Sequence, residues 1–523
     1  MAQTFEDITR NVVDRFLQNI LFVDDHAYQS DKKDNAFNAP EISSVFAQKG
    51  KLCTIFAPST IKDLENCASL FAKSDVVVLD WYLDLVNEQT MDAEADAEAE
   101  EPRGVYTIKL IKNIIEDAAD KKLKLIVVYT GETDLAGITE DLFKEITNYS
   151  GFQQGDCCVY SSNVVVLVRA KYKDENQFKH NEDLQSKIVK YEDLPDFIMN
   201  EFVSFVSGLL PNFAMSAIAS IRNNTSNILG VFSKNIDPAF LGHYISIPDC
   251  NDAISLLSKI FGTAITNLVD TCDLNFDSWI NAWIDKNTNE DNRKIGKKTF
   301  SINANNLKAL VNPSKKFEDK LNDVFNAGID INNPSQIDFY KKEAATLFCS
   351  DETDNSNYKW AKLVQHSNLF SSPKNYKLTT GTIVKCKNDS NDDWRYLICI
   401  QQSCDALRIP KEGRTFLFLP LKKDIKGVAV VVEEESKETH FIVDDNSYAI
   451  EVHKFTPDED KSLIIAQSDS KGCFFQDVTG KRFVWVAELK EIFAQNIVTA
   501  YASQLSRVGV DNSEWLRLVG KNK

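Results

Sequence analysis

The chain has 523 residues, with 59 Lys and Arg against 77 Asp and Glu, and a formal net charge of −18. At 43% hydrophobic residues it is too apolar for a disordered chain, and its length points to about three domains at roughly 150 residues each. Such an acidic balance lacks the basic face that nucleic acid or an anionic membrane requires, so neither is expected as a partner.

Eleven cysteines are scattered with no CxxC, and Cys157 and Cys158 are adjacent, which suits neither a zinc knuckle nor an ordinary bridge. The first residues, Met1 to Asp7, are acidic and read as lacking a signal peptide. No run approaches the roughly 18 apolar residues of a membrane span. The expectation is a soluble protein of a reducing, cytoplasmic compartment.

Residues 5–18 place apolar side chains at helical spacing. Four- to five-residue apolar runs then recur: Ile20–Val23 ending in Asp24-Asp25, Leu52–Phe56, Val76–Leu79 ending in Asp80, Leu125–Tyr129 ending in Thr130, and Val164–Val168 followed by Arg169-Ala170-Lys171. Such β-branched runs suit strands buried on both faces. Helical patterns at Ile61–Ala72, Val105–Ala118 and Leu135–Asn148 lie between them, so residues 1–178 read as a doubly wound α/β domain of flavodoxin-like class. The acidic, low-complexity residues 91–101 read as a solvated loop within it.

Residues 179–360 read as a helical region, with helices at Leu194–Leu210, Met215–Ser233, Ala253–Asp270 and again over 304–349. The polar residues 287–300 read as a loop, and 350–358 and 387–393 as linkers or long turns. Residues 361–523 read as a mainly-β domain with a terminal helix. Its strands are expected at Thr382–Lys385, Tyr396–Gln401, Thr415–Leu419, Val428–Val432, His440–Val443, Leu463–Ala466 and Phe483–Val486, and its helix at Leu489–Leu505.

Chemistry concentrates at the carboxyl ends of the first domain's strands, where ligands of open α/β sheets sit. Those ends carry Asp24, Asp25, Asp80, Thr130 and Lys171. Clustered carboxylates repel one another unless a cation intervenes, and Mg²⁺ with its preference for oxygen ligands meets that need. A hydroxyl and an ammonium beside them would bind phosphoryl oxygens. These are the parts for phosphoryl transfer onto a carboxylate.

The strand-end residues resemble the receiver domain of two-component response regulators. They are Asp24-Asp25 after Ile20–Val23, Asp80 after Val76–Leu79, Gly104 opening a helix, and Thr130 after Ile126–Tyr129. The resemblance implies that Asp80 is the phospho-acceptor and that Asp24 and Asp25, with Asp80, hold Mg²⁺. Thr130 would be the switch hydroxyl, and Lys171 the family's lysine after the fifth strand. The sequence departs from the family in several places. Long connections follow Asp25, Asp80 and Thr130. Tyr172 rather than proline follows Lys171, which leaves Lys173 as a competitor, and Val168 stands where an aromatic switch residue is common. Tyr82 beside Asp80 reads either as packing or as a shield that excludes water from the acyl phosphate. A long receiver without a DNA-binding output also resembles receiver proteins of bacterial conflict and anti-phage systems, which implies a histidine-kinase-like partner.

Outside this domain, Ser403-Cys404-Asp405 followed by Arg408 stands out. A thiol beside a cation can become nucleophilic, but a nucleophile needs a base, and His440 and His453 sit in no motif. A buried structural cysteine beside an Asp–Arg pair is the plainer reading. His26 follows the acidic pair and reads as a loop residue at its rim. No P-loop, GxGxxG, GxSxG or HExxH pattern is present. Apolar helical faces such as Phe202, Phe205, Val206 and Leu209 read as core, with a homodimer through the helical region as the alternative.

The leading expectation is therefore a response-regulator-like phosphorelay protein, rather than a turnover enzyme, that controls its helical and β-rich regions. The alternatives are an effector enzyme using Cys404 under receiver control, and a pseudo-receiver that binds a partner without forming phosphoaspartate.

Overall fold

A computed structural model describes residues 3–28, 37–86, 103–118, 122–149, 151–173, 177–178, 181–247, 250–272, 274–312, 314–326, 328–330, 332–349, 353–369, 376–388, 393–423, 428–434, 437–444, 446, 448–458, 462–470 and 472–505. The chain divides into two compact units, Met1–Asn289 and Glu290–Lys523. The acidic segment 91–101 lies outside the described residues.

The first unit opens with α1 (Phe5–Phe16), β1 (Asn19–Val23), α2 (Ala39–Gln48), β2 (Leu52–Phe56), α3 (Asp63–Phe71), β3 (Val76–Leu79), α4 (Val105–Ala118), β4 (Lys124–Thr130) and α5 (Leu135–Ile146). Next come β5 (Gln153–Gly155), β6 (Cys158–Tyr160), β7 (Val164–Lys171), α6 (Glu182–Gln185) and β8 (Ile188–Val189). Six helices finish it: α7 (Leu194–Val206), α8 (Leu209–Asn223), α9 (Thr225–Val231), α10 (Asp237–Ser246), α11 (Cys250–Asp270) and α12 (Phe276–Asn287).

Eight strands form one sheet in the order β2-β1-β3-β4-β7-β6-β5, with β8 paired to β7. The first five of that order run parallel, while β6 and β5 are antiparallel additions at the edge. Every residue of β3 and β4 is buried, as expected of strands covered on both faces. One face takes Ile20, Phe22, Val78 and Tyr129 against α1, α2 and α7; the other takes Leu21, Val77, Val128 and Val168 against α3, α4 and α5. The first face is completed by α7, which lies beyond residue 178, so the receiver-like sheet and the helices after it share one core.

At the amino end of β3, Asp75 is held by Arg222 of α8. The guanidinium donates from Nη2 to Asp75 Oδ1 at 2.8 Å and from Nη1 to Asp75 Oδ2 at 3.1 Å and to the Phe16 carbonyl at 3.0 Å. A bidentate arginine supplies two directed bonds to a buried carboxylate.

The second unit begins with a hairpin, β9 (Asp291–Ile295) and β10 (Lys298–Ile302), where a loop is expected from the polar composition. The strands are half exposed, so charged residues alternate with the buried Ile295, Phe300 and Ile302, and the alternation outweighs the composition. Helices α13 (Ala304–Val311), α14 (Phe317–Phe325), α15 (Pro334–Lys342) and α16 (Thr353–Gln365) follow. The last occupies most of the stretch that reads as a polar linker.

A nine-stranded antiparallel sheet comes next. Its strands are β11 (Thr382–Lys387), β12 (Trp394–Cys399), β13 (Arg414–Lys422), β14 (Val430–Glu434), β15 (Lys437–Val443), β16 (Glu451–Phe455), β17 (Gln467–Asp469), β18 (Gly472–Gln476) and β19 (Arg482–Glu488). The one-turn α17 (Ser403–Ala406) lies within it, and α18 (Glu491–Leu505) ends the described chain. The apolar run Leu463–Ala466 is not a strand; it buries Leu463 and Ile464 in an irregular approach to β17.

Candidate functional site

The site forms because three parallel strands, the neighbours β1 and β3 and, beyond β4, β7, end at one rim of the sheet. Alternation along β1 carries Ile20 and Phe22 into one core and leaves Asp24 at the same face one step beyond the strand. Asp80 follows β3 in the same way, and its N–H donates to the Val23 carbonyl at 2.9 Å. Lys171 is the last residue of β7, which runs three residues past the expected Val168.

Lys171 joins the two acids. Its Nζ lies 2.7 Å from Asp24 Oδ2 and 3.3 Å from Asp80 Oδ2. All three side chains are largely buried, and the Phe37 and Tyr129 rings stand 5.6 and 5.9 Å from the ammonium. Lys173, by contrast, is exposed. Burial pulls the Lys171 ammonium down, but Asp80 and Asp24 outweigh it and hold it above its ordinary value. Burial also pushes the Asp80 carboxyl up to about 7; Lys171 opposes the rise and Asp24 adds to it.

Asp25 faces the same rim. Its Oδ2 accepts the Asp84 N–H at 3.1 Å and lies 3.0 Å from His26 Nδ1. Its Oδ1 is buried without a hydrogen-bond partner among the described residues. Burial raises this carboxyl too, against the Asp84 N–H. An orphaned carboxylate oxygen in a cluster of acids is the donor a hard divalent cation seeks. Ligand atoms of Asp24, Asp25 and His26 lie within 4.8 Å of one another, so these residues fit a cation. The oxygens suit Mg²⁺ better than the imidazole nitrogen does.

Thr130 ends β4, beside β3, and is buried; its Oγ1 accepts the Glu132 N–H at 3.1 Å. Val168 is buried on the opposite face from Lys171, and no aromatic side chain takes its place at that position.

Several neighbours of the site carry no motif. The Trp81 N–H donates to Asp80 Oδ1 at 2.9 Å, and Thr107 Oγ1 donates to the Asp80 carbonyl at 2.7 Å. Trp81 is buried and lies flat against Gly104, whose φ is +84° and where a Cβ would come within 2.2 Å of the indole. That close approach is why glycine opens this turn. Tyr82 is 41% exposed. Its ring lies 5.7 Å from the Arg103 guanidinium, which pairs with Glu132 at 2.9 Å. A rim thus runs from the residue two past Asp80 to the residue two past Thr130.

The second candidate, Cys404 with Asp405 and Arg408, lies in the second unit. Cys404 is exposed rather than buried, on a one-turn helix instead of a strand continuation, and its Sγ faces Gln402 Oε1 at 3.8 Å. Asp405 pairs with Arg414 at 2.6 Å, nine positions along the chain, and accepts from Gln401 Nε2 at 3.0 Å, while Arg408 is exposed. His440 bonds the Tyr358 hydroxyl through Nδ1 at 2.7 Å, and His453 lies between Glu451 and Asp477 at 3.3 and 3.4 Å. Neither ring is placed as a base for Cys404.

Among the described residues no helix is long and apolar enough to cross a membrane. No curated protein and no solved structure matches the chain. Residues 16–176 match the family model of the response receiver domain, and the amino-terminal part of the chain is accordingly a receiver domain.

Proposed function

We propose that this receiver domain accepts a phosphoryl group on Asp80 and passes the change of state to the helices and β-rich unit that follow. A receiver domain places the protein in response-regulator-like signalling in general. The observation that carries the finer reading is the Asp24–Lys171–Asp80 bridge, 2.7 and 3.3 Å long, beside the orphaned Oδ1 of Asp25.

A carboxylate oxygen of ionised Asp80 attacks the phosphorus of a phosphohistidine or small phosphodonor, and the bond from phosphorus to the leaving group breaks as the acyl phosphate forms. Asp24, Asp25 and Asp80 would hold Mg²⁺, which when bound supplies neutralising charge to the acids and the phosphoryl oxygens. Lys171 is already at the acceptor and offers its N–H donors to the incoming oxygens. Thr130 offers the hydroxyl that turns toward the new dianion. That group adds close to two negative charges, enough to bias a bistable element. The donor in this reading is a histidine-kinase-like partner. A setting in bacterial defence rests on the sequence resemblance alone.

The test is intact mass of the full chain after incubation with Mg²⁺ and acetyl phosphate or phosphoramidate, for the natural chain and Asp80→Asn. A single phosphoryl adduct on the natural chain only is expected. Absence of both the adduct and beryllofluoride binding overturns the proposal and leaves a receiver that works by binding alone.

A further inference from the structure

Helices α9, α10 and α11 are nearly bare. Among their described side chains, α9 and α10 bury none, and α11, 21 residues long, buries Ala253 alone. They are nonetheless apolar: Leu229 is 67% exposed, Leu241 56%, Ile245 80%, Ile254 55%, Ile260 45% and Phe261 44%. These side chains fall in register. Leu241 and Ile245 lie one turn apart on α10. Along α11, Ile254, Leu257, Phe261, Ala264 and Leu268 recur at alternating three- and four-residue intervals, the seam of a helix that packs along another helix. Leu257, Ala264 and Leu268 are half covered, while Ile254 and Phe261 at the same seam are open.

Helices seldom hold together in water on propensity alone; they need a covered apolar face. Summed over the six open side chains, the exposed area is on the order of 600 Å², the size of the largest apolar patches on typical monomers. That is about three quarters of the ~800 Å² per partner of a standard interface. Charge indicates the occupant. Residues 209–270 hold Arg222, Lys234 and Lys259 against Asp237, Asp249, Asp252 and Asp270, a net charge of −1 in a chain of −18. Two such acidic chains repel everywhere except at a nearly neutral face. A basic partner would find few acids there, and an anionic bilayer would find few cations. An apolar, charge-poor face also has the composition of a homodimer interface.

We propose that α10 and α11 are covered by a second copy of this chain, the two copies meeting about a twofold axis so that the same patch serves both sides. This inference does not depend on Asp80 chemistry, and it uses a face distinct from Phe202 and Val206, which lie buried in the first unit's core.

Sedimentation equilibrium of the full chain at micromolar concentration tests it. The natural chain is expected to be a dimer, and Ile245→Glu combined with Ile254→Glu to be a monomer with an unchanged far-UV circular dichroism spectrum. Ile245→Ser with Ile254→Ser, which adds no charge, should weaken dimerisation in the same direction and by less, at least tenfold. A monomeric natural chain overturns the proposal, as does a dimer whose dissociation constant neither pair of substitutions changes. A monomer that floats with phosphatidylcholine vesicles would assign the face to a lipid surface instead.

Discussion

Replacing Asp80 by asparagine removes one of three carboxylates from a buried cluster, and the pH dependence of stability should change with a definite sign. Burial raises the Asp80 carboxyl from 3.8 to about 7. Between those values the folded chain holds a proton that the unfolded chain has released, so stability falls as pH rises through the window. At 1.36 kcal/mol per unit the full effect is about 4 kcal/mol as an upper bound. The part between about pH 5 and pH 8 is roughly 2–3 kcal/mol, because about two units of the window lie above pH 5. Asparagine keeps the shape and its Oδ1 can still accept the Trp81 N–H, but it does not titrate. Urea denaturation of the full chain in chelator, followed at both pH values, should show the natural chain losing that much relative to Asp80→Asn. Hydrogen exchange of the β1 and β3 amides should report the loss locally. Added Mg²⁺ should shrink the difference by stabilising the ionised cluster. Parallel pH profiles for the two proteins would refute the reasoning, because they would mean that Asp80 titrates alike in the folded and unfolded chains.

Lys171→Met removes the only cation seen to touch both Asp24 and Asp80 among the described residues and should destabilise the first unit by about 3–5 kcal/mol in chelator, measured by the same denaturation. Gly104→Ala places a methyl where the Trp81 ring stands and forces a positive φ on alanine; a loss of about 1–3 kcal/mol and a changed indole fluorescence should follow. Cys404→Ser, at an exposed position, should shift the melting midpoint by the equivalent of no more than about 0.5 kcal/mol, and a larger loss would revive a role for that thiol.

The strands that build the site were legible because burial on both faces leaves little but β-branched residues, and each run stops at a polar residue of the candidate site: Val23 at Asp24, Leu79 at Asp80, Tyr129 at Thr130. The end of β7 was harder to place, since the apolar run stops at Val168 and Arg169 and Lys171 are charged. Both are buried strand residues whose charges are met by Glu201 and by Asp24 and Asp80, contacts that span 32 residues or more. The β9–β10 hairpin was hidden by its charged, solvent-facing positions. The short β5–β6 pair, three residues in each strand, is too brief to show a period. The rim of Tyr82, Arg103 and Glu132 leaves no local trace, because its members meet only after three segments of the chain converge. The pairing of Asp405 with Arg414, nine residues on, likewise leaves no mark in the sequence.

Strand β3 carries a carboxylate just outside each end. Asp75 is gripped by Arg222 and Asp80 stands at the rim of the candidate site. Five residue steps of extended chain separate them, about 17 Å at 3.3 Å per step. Mechanically, β3 is a short stiff rod pinned at one end. Its neighbours β1 and β4 hold it in register along its whole length, so the clamped end and the end at Asp80 belong to one rigid element. Since Arg222 sits in the last turn of α8, the strand that leads to Asp80 is tied directly to the helix that precedes α9–α11.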